Sequence, residues 1–368
     1  MQLQFDTSKT YAIALEGGGA KGAYEAGVWA ALEEAGVKYN AVAGTSVGAL
    51  NGAMMTAREL KKAIHLWENV KFSQVFDADD AQMKKIYDKE LDGLDIKALL
   101  KDFVEIVREG GLDIEPLRQM MLEHIDEEKI RQSDVEFFFV TYSLTDKEEV
   151  EVDAHELEEG KLIDMLLASA YVPVFQRKKL DGKDYVDGSV QNIVPIDSLL
   201  KRGYRDIIMI RIYGMGFEKK TKIPEDANVI TIAPKEKLGG ILQFDAESTK
   251  RDMTLGYFDG KRMLYGLAGE KYYIDRQWDE MQAYIALKTI IASILQDEKP
   301  SLREINEKIL PKLAKKVKAK DEDYCEILLR FLEKIAEAAE ISPFKIRTEA
   351  EFIQEISAVW KDGKEFFV

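Results

Sequence analysis

The 368-residue sequence predicts a three-layer α/β/α fold with a mostly parallel central sheet, followed by a helical C-terminal subdomain. Strand-like and helix-like segments alternate over the first 210 residues, and this order places helices on both faces of a parallel sheet. From residue 243 to 360, nearly every segment has helical periodicity. We therefore expect domains at 1–215 and 216–368, the second packed on the first.

The individual elements follow from short apolar runs and helix boundary signals. Strands are expected at residues 11–16, 41–44, 136–142, 185–186, 207–212 and 228–232. Helices are expected at 21–35, 47–57 and 162–169, the first ending at Gly36. Charged helical periodicity between residues 57 and 130 predicts a long helical insert, and its section 80–130 is either ordinary core packing or a lid.

Composition excludes several classes of protein. The net charge of −15 argues against nucleic-acid binding, which needs a basic surface. The single cysteine, Cys325, cannot form an internal disulfide or a zinc site by itself. Because the chain has neither an apolar run of about 20 residues nor a signal-like start, we expect a cytoplasmic protein without a transmembrane segment.

A lysine run in the C-terminal part has two interpretations. It is one solvated face of a helix, or a patch that meets an anionic membrane surface as a peripheral contact. The run consists of Lys312, Lys315, Lys316, Lys318 and Lys320.

A serine lies between a short buried strand and a helix, flanked by Gly44 and Gly48. Such spacing is typical of a nucleophile elbow, in which a tight turn exposes the hydroxyl of the serine, here Ser46. The alternative is a packing turn with an idle serine.

A glycine-rich segment ends the first strand and opens a helix: Gly17, Gly18, Gly19, Lys21 and Gly22. Consecutive glycines allow several N–H groups to point into one space, which suits a phosphate or the oxyanion of acyl transfer. The dinucleotide-binding alternative needs a carboxylate at the end of the second strand, where this chain has Gly44, Thr45 and Ser46 instead. A nucleotide-binding P-loop is excluded because the spacing of these glycines does not match its motif.

A third motif, Asp187 followed by Gly188 and Ser189, comes at the end of a predicted strand and is by itself a common turn. The chain has three histidines, none of them after Asp187, and all lie in charged or loop-like stretches typical of surfaces. If Ser46 is a nucleophile, a carboxylate must therefore act as its base, and a Ser46–Asp187 dyad is the simplest solution.

Together these motifs resemble the patatin-like phospholipases, over about residues 10–215 and in the family's order. The segment from Ala168 through Ser169 to Pro173 resembles the family's Ala-Ser-x-x-x-Pro. The resemblance implies that Ser46 is the nucleophile and Asp187 its base, with N–H groups near Gly18 and Gly19 as the oxyanion hole. Two residues depart from the usual pattern. Lys21 replaces the commoner arginine, and Ser189 replaces glycine or alanine.

The resemblance further implies a serine lipid acyl hydrolase that cleaves phospholipids or lysophospholipids through an acyl-enzyme. This chemistry requires no metal or other cofactor. Two alternatives stay open at this point: an esterase or thioesterase for soluble acyl esters, and a non-enzymatic acyl-chain binder on the same fold. The sequence leaves the oligomeric state undetermined.

Overall fold

The fold is described from a computed structural model, which covers residues 1–77, 80, 111–176, 178–295, 300–319 and 323–360. A central sheet has the strand order β4-β3-β2-β1-β6-β7, with β5 also paired to β3. The described strands are β1 Thr10–Leu15, β2 Lys38–Thr45, β3 Glu136–Ser143, β4 Glu148–Asp153, β5 Tyr185–Asp187, β6 Asp206–Ile210, β7 Asn228–Ile232, β8 Tyr273–Asp275 and β9 Ile346–Thr348.

The described helices divide between the sheet region and the C-terminal part of the chain. Those of the sheet region are α1 Gly22–Glu34, α2 Val47–Thr56, α3 Leu60–Asn69, α4 Glu115–His124, α5 Glu127–Gln132, α6 Leu162–Ser169, α7 Ile196–Lys201 and α8 Ala246–Tyr265. Those that follow are α9 Glu280–Ile294, α10 Leu302–Glu304, α11 Leu310–Val317, α12 Tyr324–Ala338 and α13 Glu349–Val359.

Most strand pairs of the central sheet are parallel. The pairs β1–β2, β1–β6, β2–β3 and β6–β7 are parallel, whereas β4 and β5 pair antiparallel with β3. On one face, Ala12 of β1 and Ala41 of β2 pack with residues of α7. On the other face, Gly52 of α2 lies against Val42 and Phe137. The predicted α/β class with a mostly parallel sheet flanked by helices is therefore confirmed.

The chain separates into two compact units. One is Asp6–Lys261 and contains the central sheet. The other holds Met1–Phe5 and the described residues from Arg262 onward. The division into domains at 1–215 and 216–368, expected from the sequence, stays a prediction.

The second unit has its own apolar core, formed by helices α9, α11, α12 and α13 and by β8, which pairs in parallel with β9. In α11, Leu313 and Val317 are buried while Lys312, Lys315 and Lys316 are exposed. This arrangement is that of an amphipathic helix with a solvated basic face. Lys320 lies outside the described residues.

No helix in the described part of the chain is long and apolar enough to cross a membrane. Most of section 80–130, for which the sequence allows either core packing or a lid, lies outside the described residues, because these do not include 81–110.

Candidate active site

The predicted elbow is a sharp turn between β2 and α2. Ser46 has φ 55° and ψ −123°, a left-handed backbone that costs a non-glycine residue energy. Its N–H donates to Ser169 Oγ (3.0 Å), and that hydroxyl donates to Val140 O (2.6 Å). The turn is thus held by a buried serine on α6, and Ser46 is left 6% exposed at the N-terminus of α2.

The glycines on either side of Ser46 are required by close packing. A Cβ at Gly44 would collide with the carbonyl oxygen of Gly48. A Cβ at Gly48 would come within 2.8 Å of Leu15 O and 2.9 Å of Glu16 O. The helix therefore starts directly against the ends of β1 and β2, which holds the Ser46 turn at the carboxyl edge of the sheet.

Asp187 ends β5 at the same edge and is buried. The hydroxyl groups of Ser46 and Ser189 lie near its carboxylate and favour its ionised form, which lowers the pKa of Asp187. The Ser189 N–H donates to Oδ1 at 2.8 Å. Burial outweighs these contacts and raises the pKa of Asp187 above its ordinary value. The structure therefore brings Ser46, Asp187 and Ser189 together.

Gly188 is the sterically constrained residue of this turn. A Cβ there would collide with Val140 O. The backbone N–H of Asp187 donates to Tyr171 O (2.9 Å), which ties the turn to the segment after α6. The Asp-Gly turn is therefore fixed from both sides.

The glycine-rich segment lies beside these groups. A Cβ at Gly17 would be 3.3 Å from Ser46 Cβ and would collide with Ser189 Oγ. The N–H of Gly17 already donates to Ile193 O (2.9 Å), whereas those of Gly18 and Gly19 have no hydrogen-bond partner among the described residues. Gly19 has φ 58°, a conformation that favours glycine. The unpaired donors of this loop are therefore the N–H groups of Gly18 and Gly19, which directly follow Gly17 in sequence.

The other two residues predicted for this loop have structural contacts. Lys21 Nζ donates to Tyr213 O (2.7 Å), and burial lowers the pKa of this lysine. A Cβ at Gly22 would collide with Val47 of α2, and Asn51 Nδ2 donates to Gly22 O at 2.9 Å. Both contacts fix the start of α1.

A buried polar network supports the loop from behind. Glu25 Oε1 accepts the N–H of Glu16 (2.9 Å) and Oε2 accepts Asn51 Nδ2 (2.8 Å). Trp67 Nε1 donates to Asn51 Oδ1 at 3.0 Å. Desolvation raises the pKa of Glu25 well above its usual range. The sequence predicts neither this network nor the hydrogen bond from Ser46 N–H to Ser169. Ser169 nevertheless lies in the segment that resembles the family's Ala-Ser-x-x-x-Pro.

Each of the three histidines has a polar contact with a residue close to it in sequence. His65 contacts Asn69, His124 contacts Glu123, and His155 contacts Asp153. Within the described part of the chain, none of them contacts Ser46 or Asp187.

The fold is that of a three-layer α/β/α protein, and at the carboxyl edge of its sheet a nearly buried serine on a tight turn lies beside a buried aspartate. The sequence model of the patatin-like phospholipase family matches residues 13–200, just over half of the chain. The chain belongs to that family, and membership places it among the lipid acyl hydrolases.

Other comparisons add little. No curated protein sequence matches the chain significantly. Among solved structures, the chain is similar to VipD from Legionella pneumophila, with 14% identity and a TM-score of 0.44 over 97% of this chain and 89% of that one. At this TM-score, the likeness carries no conclusion about function.

Proposed function

We propose that the protein hydrolyses acyl esters of phospholipids or lysophospholipids with Ser46 as nucleophile and Asp187 as its general base. The observation that carries the proposal is the position of the Ser46 side chain beside the buried Asp187 carboxylate, close enough to lower the pKa of that carboxylate. A serine nucleophile needs an adjacent base, and a carboxylate with a raised pKa accepts a proton more readily than an ordinary one.

In the first half of the reaction, Ser46 Oγ attacks the ester carbonyl and its proton passes to Asp187. The carbonyl oxygen becomes an oxyanion, which accepts hydrogen bonds from the N–H groups of Gly18 and Gly19. One such donor contributes about 3 kcal/mol in comparable sites. The C–O bond to the alcohol then breaks, and the alcohol leaves with the proton from Asp187.

The second half releases the fatty acid. Water attacks the acyl-enzyme and gives a proton to Asp187, so that a second oxyanion forms at the same donors. The bond to Ser46 Oγ then breaks, and Ser46 recovers the proton. Every step uses groups that lie at the carboxyl edge of the sheet.

Under this proposal, the protein must contact a lipid surface during part of its catalytic cycle, because its substrates reside there. A cytoplasmic location with peripheral membrane contact accords with this chemistry. The functional division into a catalytic part, 1–215, and a helical C-terminal part, 216–368, belongs to the same proposal.

The test is fatty-acid release from a panel of phospholipids, lysophospholipids and p-nitrophenyl esters. Wild type is compared with Ser46→Ala, Asp187→Asn and a control, Ser8→Ala. Ser8 is an exposed serine that precedes β1, at the opposite end of that strand from the site.

We expect wild type and the control to release fatty acid and both site variants to be inactive. Hydrolysis of soluble esters or thioesters alone would favour the esterase alternative. Absence of any turnover, together with tight binding of fatty acid, would favour the non-enzymatic binder.

A further inference from the structure

Large apolar side chains are exposed on the segment that follows β6. Tyr213, Met215 and Phe217 are 57%, 62% and 55% exposed, and Val190, which follows Ser189, is 44% exposed. Lys220 and Lys222, a few residues further along the same segment, are also exposed. We call these six residues the rim surface.

The rim surface adjoins the candidate site because Gly214 and Gly216, which alternate with its apolar residues, lie against Gly17 and Ser189. A Cβ at Gly214 would collide with Gly17 O, and one at Gly216 would come within 2.8 Å of Ser189 Cβ. The N–H of Phe217 donates to Ser189 O at 2.7 Å. Alternate residues of this segment thus contact the site, and those between them face solvent.

The exposed conformation is held in place. Glu16 Oε2 accepts the N–H of Ile212 (2.6 Å) and of Tyr213 (3.0 Å). Arg211 Nε donates to the same oxygen at 2.9 Å. Tyr213 itself has φ 49°, an unfavourable conformation that such contacts must stabilise. A fixed loop that keeps apolar groups in water is typical of a binding surface.

The charges of the rim surface favour a phosphate-bearing partner. Lys219 is paired with Glu149 and Asp197, and Glu218 is paired with Arg211. Lys220 and Lys222 form no salt bridge with any residue in the described ranges. Unpaired lysines beside exposed aromatic and aliphatic groups match the headgroup and acyl layers of a bilayer.

We propose that the rim surface docks the protein on a phospholipid bilayer, with Val190, Tyr213, Met215 and Phe217 inserted at the headgroup boundary and the two lysines at the phosphates. This inference rests on the proposed function, because docking here brings the Ser46 edge to its lipid substrate. It places the membrane contact beside the site and not on the lysine run of α11.

The test measures vesicle binding in the Ser46→Ala background, so that the lipid is not consumed. Full-length protein is floated with vesicles of phosphatidylcholine containing a quarter phosphatidylglycerol. The test variant is Met215→Ser with Phe217→Ser. Its matched control is Met281→Ser with Ile285→Ser on α9, side chains that are 63% and 51% exposed.

We expect the test variant to lose at least about tenfold in partition to vesicles, since two apolar side chains are removed from the contact. The control should bind like the parent. Lys220→Gln with Lys222→Gln should weaken binding to the mixed vesicles more than to pure phosphatidylcholine. Melting curves check folding, and Met215→Ser alone replaces the double variant if that variant unfolds.

Several outcomes would overturn the proposal. The first is that the Ser46→Ala parent does not bind vesicles, and the second is that the α9 control loses as much vesicle binding as the test variant. The third is that the test variant changes its oligomeric state while its vesicle binding is unchanged, which would assign the surface to a second copy of the chain. Soluble-ester hydrolysis by wild type is measured separately. Failure of the docking proposal is thereby distinguished from failure of the proposed function.

Discussion

Two sets of buried polar side chains, one from each unit of the chain, have different binding partners. In the unit that contains the sheet, buried polar side chains contact one another: Ser46 with Asp187, Asp187 with Ser189, and Glu25 with Asn51. These groups lie near the ends of β1, β2 and β5. Two of them, Glu25 and Asp187, have pKa values raised by burial.

In the C-terminal unit, the buried side chains of Glu333 and Glu349 bind backbone N–H groups instead. Glu333 Oε1 accepts the N–H groups of Glu270, Lys271 and Tyr272 at 2.8 to 3.0 Å. Glu349 accepts the N–H of Gln277 at 2.9 Å. Such contacts hold loops against helices.

The comparison distinguishes buried carboxylates that stabilise the fold from a buried carboxylate that serves the reaction. A carboxylate that satisfies backbone donors stabilises the fold, and its removal should destabilise the fold. A carboxylate that is buried at a cost beside a serine hydroxyl is a candidate for proton transfer, and under the proposed function its removal should affect activity instead.

The largest expected effect is that of Asp187→Asn. Activity should fall by about 10⁴-fold, as when the partner of a catalytic residue is removed. At neutral pH, the melting temperature should stay level or rise, because a raised folded-state pKa means that ionised Asp187 opposes folding. That opposition grows as pH rises through the folded-state pKa and vanishes below the unfolded-state value.

Activity assays and melting curves across pH check this expectation. The gain in stability relative to wild type should shrink as the pH is lowered toward the point where Asp187 is protonated. A marked loss of stability at neutral pH would mean that Asp187 has a structural role like that of Glu333.

The next effect in size concerns Glu333→Ala. Removing the acceptor of three backbone N–H groups should lower the free energy of unfolding by about 3 kcal/mol. Denaturant unfolding measures it, with Glu337→Ala as control, since that exposed residue forms only surface ion pairs. Turnover per folded molecule should be unchanged. A loss of turnover without a loss of stability would contradict the structural role given to Glu333.

The smallest effect is expected from Ser189→Ala. Hydrogen bonds from Ser189 lower the pKa of Asp187, although burial raises it more. Without the hydroxyl, that pKa should rise further, so activity should be lost at a higher pH as the solution is acidified. The pH profile of kcat/KM measures the shift. Ser198→Ala, whose hydroxyl contacts Glu151, should leave the profile in place.

Much of the sheet could be predicted because its strands are short apolar runs. β1, β2, β3, β6 and β7 were all expected from such runs. β4 was missed, since its sequence, EEVEVD, carries four acids and reads as a polar stretch. β8 and β9, of three residues each, are too short to show a pattern.

At the candidate site, motif spacing singled out Ser46, Asp187 and the glycine loop. The supporting contacts join residues far apart in sequence, such as Glu16 with Ile212 and Ser46 with Ser169. Local patterns contain no information on such pairs. For the same reason, the sequence could not show that the Gly17 N–H is already bonded to Ile193 O.

The central claim is that Asp187 activates Ser46 as a nucleophile. The most direct measurement is the rate and position of labelling by a fluorophosphonate, followed by intact mass and peptide mapping. The account predicts a single adduct on Ser46 in wild type, none in Ser46→Ala, and labelling of Asp187→Asn that is slower by about 10³-fold or more. An adduct on another residue, or labelling of Asp187→Asn at the wild-type rate, would contradict it.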